Sequence, residues 1–234
     1  YEIHERLVGS EMCIRDRYLA HDLKTPLSSV IGYLTLLHDD EQQISQELRE
    51  KYLSISLDKA ERLEDLINEF FEITRFNLSN ITLKYSDINL TRLLEQLIYE
   101  FNPMLKEKNL QCVLHSAKDI MLHCDANKMQ RVFDNLLRNA AIYSYSDTEI
   151  TITTELRANK VTIVFENCGA NIPEEKLEQI FEQFYRVDTA RSMANGGAGL
   201  GLAIAKHIVE LHKGTIAAKS KDECVKFIVE LPLS

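Results

Sequence analysis

The stretch HDLKTP, residues 21–26, sets an imidazole, a carboxylate, a hydroxyl and a proline among runs that favour helix. An unprotonated imidazole nitrogen such as that of His21 is a nucleophile, and the Asp22 carboxylate can hold the proton of the other ring nitrogen. Thr25 follows His21 by one helical turn. Pro26 removes a backbone N–H and crowds the carbonyl four residues earlier, which predicts a kink. The stretch offers a nucleophile with its base, and an exposed helix histidine is the plainer alternative.

A glycine-rich segment, NGGAGLG at residues 195–201, runs directly into an apolar helix. Glycines let the backbone approach a ligand, and a helix N-terminus offers free N–H groups and a positive dipole end, so the pair suits a phosphate. It is neither a Walker loop nor a good dinucleotide-binding turn, because no Lys-Ser or Lys-Thr follows it and no strand precedes it. A flexible turn is the alternative. Its candidate binding residues are Gly197, Gly199, Leu200 and Gly201.

Amide side chains supply the remaining candidates. Asn135 and Asn139 share one flank of a helix, with Tyr143 one turn further, and Asn139 could hold Mg²⁺ through its carbonyl oxygen while the metal bridges phosphates. Plain solvated amides would show the same spacing. Asn167 ends a strand that turns on Gly169, so we expect its side chain to point into a cleft between the sheet and the helices. Its amide oxygen could there accept a hydrogen bond from the amino group of adenine.

Two helical runs must position the histidine. Apolar residues recur at helical spacing over 19–37 and again over 53–73, and the polar stretch 38–45 separates them. This pattern predicts an antiparallel hairpin. A single hairpin buries one apolar stripe poorly, whereas two hairpins related by a two-fold axis make a four-helix bundle. We therefore expect a homodimer.

The rest of the chain alternates helix and strand patterns and predicts an α+β sandwich, with one mixed sheet and helices on one face. Asn89 and Asp125 are placed to cap helices, and Pro173 followed by two glutamates favours the start of another. The predicted strands are 110–115, 120–123, 148–156, 160–167 and two closing strands, the predicted helices are 89–108, one after Asp125, one after Pro173 and 200–212, and the predicted loop is 186–199.

Composition limits the possible partners. The chain has 234 residues, is 45% hydrophobic and carries a net charge of −9, which argues against a nucleic-acid surface and against contact with an anionic membrane. No apolar run reaches the roughly 18–20 residues of a membrane helix. The five cysteines contain no CxxC pair, so we expect reduced cysteines, a cytosolic setting and no zinc site, with a redox sensor as the alternative. Residues 1–17 include EMCIRDR, which back-translates to a transposon end used in sequencing libraries, and are expected to be a non-native leader, with a native linker helix as the alternative.

Five segments together resemble the H, N, G1, F and G2 boxes of bacterial sensor histidine kinases, in detail those of vancomycin-resistance operons. The segments are AHDLKTPL, DNLLRNAAIYS, ENCGANIP, IFEQFYRVDTARS and GGAGLGLAIAKHIV. The resemblance implies a dimerisation and phosphotransfer hairpin at 18–78 and an ATP-binding domain of the GHKL type at 84–234. It implies a response-regulator receiver domain as partner, and a full-length protein in the cell membrane with this part on the cytoplasmic face.

The resemblance also implies residue roles. His21 would accept the phosphoryl group of ATP, Asp22 would be its general base, and Thr25 would position water when the enzyme dephosphorylates its partner. Asn139 would bind Mg²⁺, with Asn135 beside it. Arg186 would contact phosphate, and the loop 186–199 would be the ATP lid.

The sequence departs from the family pattern at three positions. Asn167 and Asn171 replace the aspartate and the second glycine of the D-x-G-x-G motif, and Ile142 replaces the usual lysine before Tyr143. These changes motivate the alternative of a non-catalytic dimeric scaffold that binds a response regulator. An ATPase of the chaperone or topoisomerase kind is disfavoured, since such a protein needs neither the H box nor the hairpin.

Overall fold

The computed structural model describes residues 23–38, 44–78, 82–117, 119–157, 159–187 and 199–233. The predicted leader, His21 and Asp22 lie outside these residues, as do Gly197 and most of the predicted lid. The chain divides into two compact units, Tyr1–Ser79 and Asn80–Ser234. No helix in the described part of the chain is long and apolar enough to cross a membrane.

The first unit is a helical hairpin, as predicted. Helix α1 covers residues 23–38 and helix α2 covers Gln46–Leu78. The rings of Tyr33 and Tyr52 lie 5.2 Å apart between centroids, which joins the two helices on either side of their connection. Helix α2 begins several residues before the predicted apolar run over 53–73. The hydroxyl of Ser45 accepts the N–H of Leu48 and so caps the helix at its N-terminus.

The second unit alternates strands and helices. Its elements are β1 (Ser86–Asn89), α3 (Leu90–Glu107), β2 (Gln111–His115), β3 (Met121–Cys124), α4 (Ala126–Tyr143), β4 (Glu149–Arg157), β5 (Lys160–Cys168), α5 (Gly201–Leu211), β6 (Thr215–Lys221) and β7 (Cys224–Pro232). Strands β1 and β3 form a small antiparallel pair, and the main sheet has the order β2-β4-β5-β7-β6. Strands β2 and β4 are parallel and the other pairs are antiparallel, so the sheet is mixed, as expected.

The main sheet buries one of its faces. Alternate residues of β5 and β7 are almost fully buried, and those between them are more exposed, which is the period of two of a strand with one face in the core. Helix α4 buries one apolar stripe against this sheet-and-helix core. The buried residues of α4 are Met129, Val132, Phe133, Leu136, Leu137, Ala140 and Ala141.

Both predicted helix caps are present. The side chain of Asn89 accepts the N–H of Arg92 at 3.0 Å at the start of α3. The carboxylate of Asp125 accepts the N–H of Lys128 at 3.2 Å at the start of α4, and also the distant N–H of Lys84 at 2.9 Å. One side chain thereby caps a helix and ties down the segment that leads into β1.

The helix expected after Pro173 is not formed. The structure has two 3₁₀ turns instead, Glu174–Lys176 and Gln179–Phe181. The proline and the two acidic residues favour a helical start, but Ile180 and Phe181 are buried in the core. Short 3₁₀ turns bring these neighbours inward where a longer helix would not, so tertiary packing overrides the local preference.

We expect Asp125→Ala to lower the free energy of unfolding by about 1–2 kcal/mol at neutral pH, because two backbone N–H groups lose their acceptor. Burial by itself would raise the pKa of Asp125, but the N–H groups of Lys84 and Lys128 outweigh it and the pKa lies below its usual value. The carboxylate therefore stabilises the fold above its unfolded-state pKa, and this contribution is lost as pH falls through the folded-state value.

Urea unfolding of the parent and of Asp125→Ala between neutral and acidic pH measures this difference. The difference should shrink on acidification. In Asp125→Asn, which keeps an acceptor without the charge, a smaller difference should vary little with pH. A gap between parent and Asp125→Ala that widens on acidification would contradict the assignment.

Candidate functional site

Helix α5 begins without a side-chain cap. Its N-cap residue, Leu200, is buried and makes no capping hydrogen bond through its side chain, and Gly201 is the first helical residue. The first amide groups of a helix have no partner within the helix. The side chain of the N-cap residue satisfies none of these amide groups of the eleven-residue helix, and this is the segment where the sequence predicts a phosphate.

Gly199 holds the start of α5 against the segment that carries Arg186. Its φ angle is +74°, a conformation that favours glycine, and its carbonyl accepts the N–H of Phe184 at 3.0 Å. A Cβ at Gly199 would stand 2.9 Å from the carbonyl oxygen of Tyr185. The backbone of this segment thus approaches Gly199 more closely than a larger residue would permit, and it carries the half-buried Arg186 alongside.

The N-terminus of α5 meets helix α4 at Asn135. A Cβ built at Gly201 would lie 3.0 Å from Oδ1 of Asn135, so the amide rests directly against the glycine backbone. The Nδ2 atom of Asn135 is buried and has no hydrogen-bond partner in the structure. Buried polar groups are nearly always satisfied, so this donor is open to a water molecule or to a ligand atom.

A second orphaned donor lies at the end of β5. Asn167 is 2% exposed and its Nδ2 atom has no hydrogen-bond partner. It lies on the core-facing side of β5, where alternate residues of the strand are buried. A Cβ at Gly169 would lie 3.3 Å from Nδ2 of Asn167 and would overlap the carbonyl oxygen of Tyr143, so glycine alone allows the end of α4 to approach here. The Tyr143 side chain itself is exposed.

Two sets of the predicted binding residues lie together, and Asn139 stands by itself. The structure brings Asn135 together with Gly201, and Asn167 with Gly169 and the backbone of Tyr143. Asn139 lies half-buried on α4, one turn beyond Asn135. Among the described residues no group of three or more His, Cys, Asp or Glu side chains could hold a metal ion. The amide oxygen of Asn139 is a ligand of another type.

Thr25 belongs to the other unit, where it lies exposed on α1. Its carbonyl accepts the hydroxyl of Ser29 at 3.1 Å. Pro26 is buried and lies within the first turn of the described helix. The carbonyl that Pro26 was expected to crowd belongs to Asp22, so the predicted kink falls outside the described residues.

The sequence analysis missed Lys108. Its ammonium group donates to the carbonyls of Ala141, Ile142 and Ser144 at the end of α4, at 3.1 Å to Ala141 and 3.4 Å to Ser144. A cation at a helix C-terminus satisfies carbonyls that have no partner within the helix and opposes the negative dipole end. Lys108 lies more than 30 residues away in sequence, and no local pattern announces the contact.

Asn171 gives one departure from the family pattern a structural reason. Its Oδ1 atom accepts the N–H of Glu223 at 2.9 Å and lies 3.4 Å from the hydroxyl of Ser220. Glu223 and Asp222 form the tight turn between β6 and β7, and both have positive φ. The amide thus fastens the loop after β5 to this hairpin, a contact that glycine could not make.

Comparison with known proteins gives two family matches in chain order. Residues 17–78 match the model of the His Kinase A (phospho-acceptor) domain. Residues 124–234 match that of the histidine kinase-, DNA gyrase B- and HSP90-like ATPases. The order and extent of these matches follow the boxes of the sequence.

Curated relatives include two enterococcal sensor proteins. The chain is 51% identical over 215 residues to sensor protein VanSC of Enterococcus gallinarum, covering 92% of the chain and 59% of the relative. It is 52% identical to sensor protein VanS of Enterococcus faecium, covering 92% of the chain and 56% of the relative. The chain thus spans less than two thirds of these proteins.

Among solved structures, histidine kinase ThkA in complex with response regulator TrrA matches 99% of the chain and 64% of that chain, with a TM-score of 0.77 and 26% identity. The catalytic domain of ThkA alone matches 64% of the chain and 96% of that domain, with a TM-score of 0.58 and 30% identity. The chain belongs to the sensor histidine kinases, which join a phospho-acceptor hairpin to an ATPase domain. The resemblance predicted from the five boxes is confirmed, and none of these relatives favours the non-catalytic scaffold.

Proposed function

We propose that the chain is the kinase core of a sensor histidine kinase, which phosphorylates His21 from Mg-ATP and passes the phosphoryl group to an aspartate of a response regulator. The observation that carries the proposal is the junction of α4, β5 and α5. There an uncapped helix start, the orphaned Nδ2 of Asn135 and the orphaned Nδ2 of Asn167 supply donors that the protein itself leaves unsatisfied.

These donors fit a nucleoside triphosphate. The free N–H groups at the start of α5 suit phosphate oxygens, and Gly199 and Gly201 leave room for them. The Asn167 amide has both a donor and an acceptor, and adenine offers matching groups on its edges. Because Asn167 lacks the charge of an aspartate, its hydrogen bond from the adenine amino group is weaker. Its amide N–H can, however, donate a second hydrogen bond, which a carboxylate cannot.

Asn139 is our candidate ligand for Mg²⁺. An amide oxygen is a ligand type that this hard cation accepts, and Mg²⁺ keeps several waters, so one protein ligand is sufficient. When bound, the metal would offset the charge of the phosphates and orient them. Asn135, one turn earlier, rests against Gly201 and keeps this flank of α4 facing the start of α5.

The transfer step uses the H box. An unprotonated ring nitrogen of His21 attacks the γ-phosphorus, a nitrogen–phosphorus bond forms, and the bond to the oxygen of ADP breaks. Asp22 holds the proton of the other ring nitrogen and stabilises the positive charge that develops on the ring. Thr25 on α1 would orient a water molecule for a second reaction, the removal of phosphate from the partner.

The hairpin supplies the dimer of the proposal. Large apolar side chains of α1 and α2 remain exposed in the single chain at helical spacing, among them Leu27, Ile31, Leu34, Leu53 and Leu57. A contiguous exposed apolar stripe of this kind marks an interface. A second copy would cover it in a four-helix bundle, which agrees with the match to the phospho-acceptor family.

The remaining assignments rest on the relatives. ThkA was solved with its response regulator, and we infer a receiver domain as partner here. Because VanSC and VanS are longer sensor proteins, we place the full-length protein in the cell membrane with this core on its cytoplasmic face.

Incubation of the purified chain with γ-labelled ATP and Mg²⁺ tests the proposed function. Label that is lost in acid and retained in alkali identifies a phosphohistidine. Addition of a receiver domain from a related response regulator should then remove the label from the chain. Absence of label under conditions where the chain still binds ATP would overturn the kinase assignment.

We expect Gly201→Val to weaken ATP binding by about tenfold or more with little change in thermal stability. A Cβ here displaces the Asn135 amide, and the added methyl groups occupy space beside the first free N–H groups of α5. Loss of one or two hydrogen bonds to a charged ligand is worth about that factor. Calorimetric titration with a non-hydrolysable ATP analogue measures it.

Gly32→Val is the matched control, because nothing lies within 4 Å of a Cβ built at Gly32 on α1. Its ATP affinity should equal that of the parent. If Gly201→Val binds ATP with the affinity of the parent, the N-terminus of α5 is not part of the nucleotide site.

A further inference from the structure

Two cysteines lie directly opposite each other on neighbouring strands. Cys168, the last residue of β5, pairs with Cys224, the first residue of β7, in the antiparallel register. Directly opposed residues share one face of a sheet. That face is the outer one, because the adjacent Asn167 and Val225 are buried on the core side. The two side chains therefore lie on the same outer face of the sheet, and Cys168 stands between Asn167 and Gly169 in the chain.

The backbone pattern favours a bond between them. The N–H of Gly169 donates to the carbonyl of Glu223 at 2.9 Å, which makes that next pair the hydrogen-bonded one. Pairs alternate along an antiparallel ladder, so Cys168 and Cys224 occupy a non-hydrogen-bonded position, where the Cα atoms are about 4.5 Å apart and side chains are closest. This spacing lies within the range of about 4.4–6.8 Å that a disulfide spans.

The two thiols have different surroundings. Cys168 is exposed, whereas Cys224 is half-buried and its Sγ donates to Oε1 of Glu166 at 3.0 Å. Burial, followed by that hydrogen bond and the charge of Glu166, raises the pKa of the Cys224 thiol to about 11, against a smaller opposing effect of Lys226. Cys168 is the accessible sulfur for a first reaction, and Cys224 is a protonated neighbour placed for a second.

The other described cysteines have no such arrangement. Cys112 is opposite Ile150 and Cys124 is opposite Ser86. Burial first, and then a neighbouring carboxylate, raises the pKa of each of these thiols to about 12. Within the described part of the chain, Cys168 and Cys224 alone combine an exposed sulfur with a second sulfur across the ladder.

We propose that Cys168 and Cys224 form a dithiol site that small-molecule disulfides convert reversibly into a cross-strand disulfide. The Cys168 thiolate attacks one sulfur of the oxidant, a mixed disulfide forms, and one oxidant thiolate leaves. Cys224 then loses its proton and its sulfur attacks that of Cys168, expelling the second thiolate, which takes up a proton. The cysteine pair loses two electrons and the oxidant is reduced to two thiols.

The test treats the whole reduced chain with oxidised glutathione and follows its intact mass. We expect a transient adduct of one glutathione at Cys168, and then a chain lighter than the reduced form by two hydrogen atoms. Proteolytic mapping without reductant should recover one peptide pair joined through Cys168 and Cys224, and dithiothreitol should restore both thiols. None of these readouts requires kinase activity, so the outcome is independent of the proposed function.

Two variants make the assignment specific. Cys224→Ser should stop at a stable glutathione adduct on Cys168, and Cys168→Ser should react far more slowly and form no internal disulfide. The proposal is overturned if the parent chain retains glutathione on Cys168 without closing. It is equally overturned if the mapped disulfide joins two chains or uses a different cysteine.

Discussion

A chain carrying His21→Gln is expected to take no label from γ-labelled ATP, while its ATP affinity stays at the parental value. Glutamine has no nucleophilic ring nitrogen and cannot form a phosphoramidate, so the change removes the acceptor and leaves the nucleotide site at α4, β5 and α5 untouched. Autoradiography of the chain, with ATP binding measured in parallel, gives both quantities. The expected loss of label is complete rather than graded.

His38→Gln is the matched control, because His38 is an exposed histidine at the last described residue of α1. It should be labelled like the parent. Label that persisted in His21→Gln but vanished in His38→Gln would identify His38 as the acceptor. Loss of label in both variants with ATP binding intact would point to the fold of the hairpin rather than to one nucleophile.

Leu57→Lys is expected to convert the proposed dimer into a monomer at micromolar concentration. Leu57 is 62% exposed in the single chain, so the monomer loses little when lysine, a comparably good helix former, replaces it. In the proposed four-helix bundle one Leu57 side chain from each of the two chains is buried. Burial of a leucine is worth about 1.5–3 kcal/mol, so the dimer dissociation constant should rise by about two to four orders of magnitude. Light scattering coupled to gel filtration measures the mass.

Leu156→Lys provides the matched control. Leu156 is 51% exposed, but it belongs to β4 of the second unit and is not part of the helical hairpin. It should leave the dimer mass unchanged. A dimer that survives Leu57→Lys and dissociates in Leu156→Lys would place the interface on the sheet instead of the hairpin.

The nucleotide-site departures now have different meanings. Asn171 replaces a glycine but fastens the loop after β5 to the β6–β7 hairpin through the N–H of Glu223, which is a structural contribution. Asn167 keeps a buried, unsatisfied amide in place of a carboxylate. The position before Tyr143 is Ile142 in place of the usual lysine. Its backbone carbonyl accepts a hydrogen bond from the ammonium group of Lys108. None of the three removes the glycines or the uncapped start of α5.

Local signals determined much of this protein. The stripe of α4 is buried at each of its seven apolar positions, since a period of 3.6 can satisfy only one face of a helix. Asn89 and Asp125 cap helices because their short side chains reach the first free N–H groups. The five boxes identified the family, because each depends on residue types at short spacing within one segment.

Contacts between distant segments were decided only by the tertiary structure. The turns after Pro173 follow from the burial of Ile180 and Phe181, which outweighs the local preference for a helix. The close approach of Gly201 to Asn135 joins two segments more than 60 residues apart, and the pairing of Cys168 with Cys224 depends on the register of β5 and β7. Periodicity shows which face of an element is buried, but which residue lies opposite depends on the free energy of packing the whole chain.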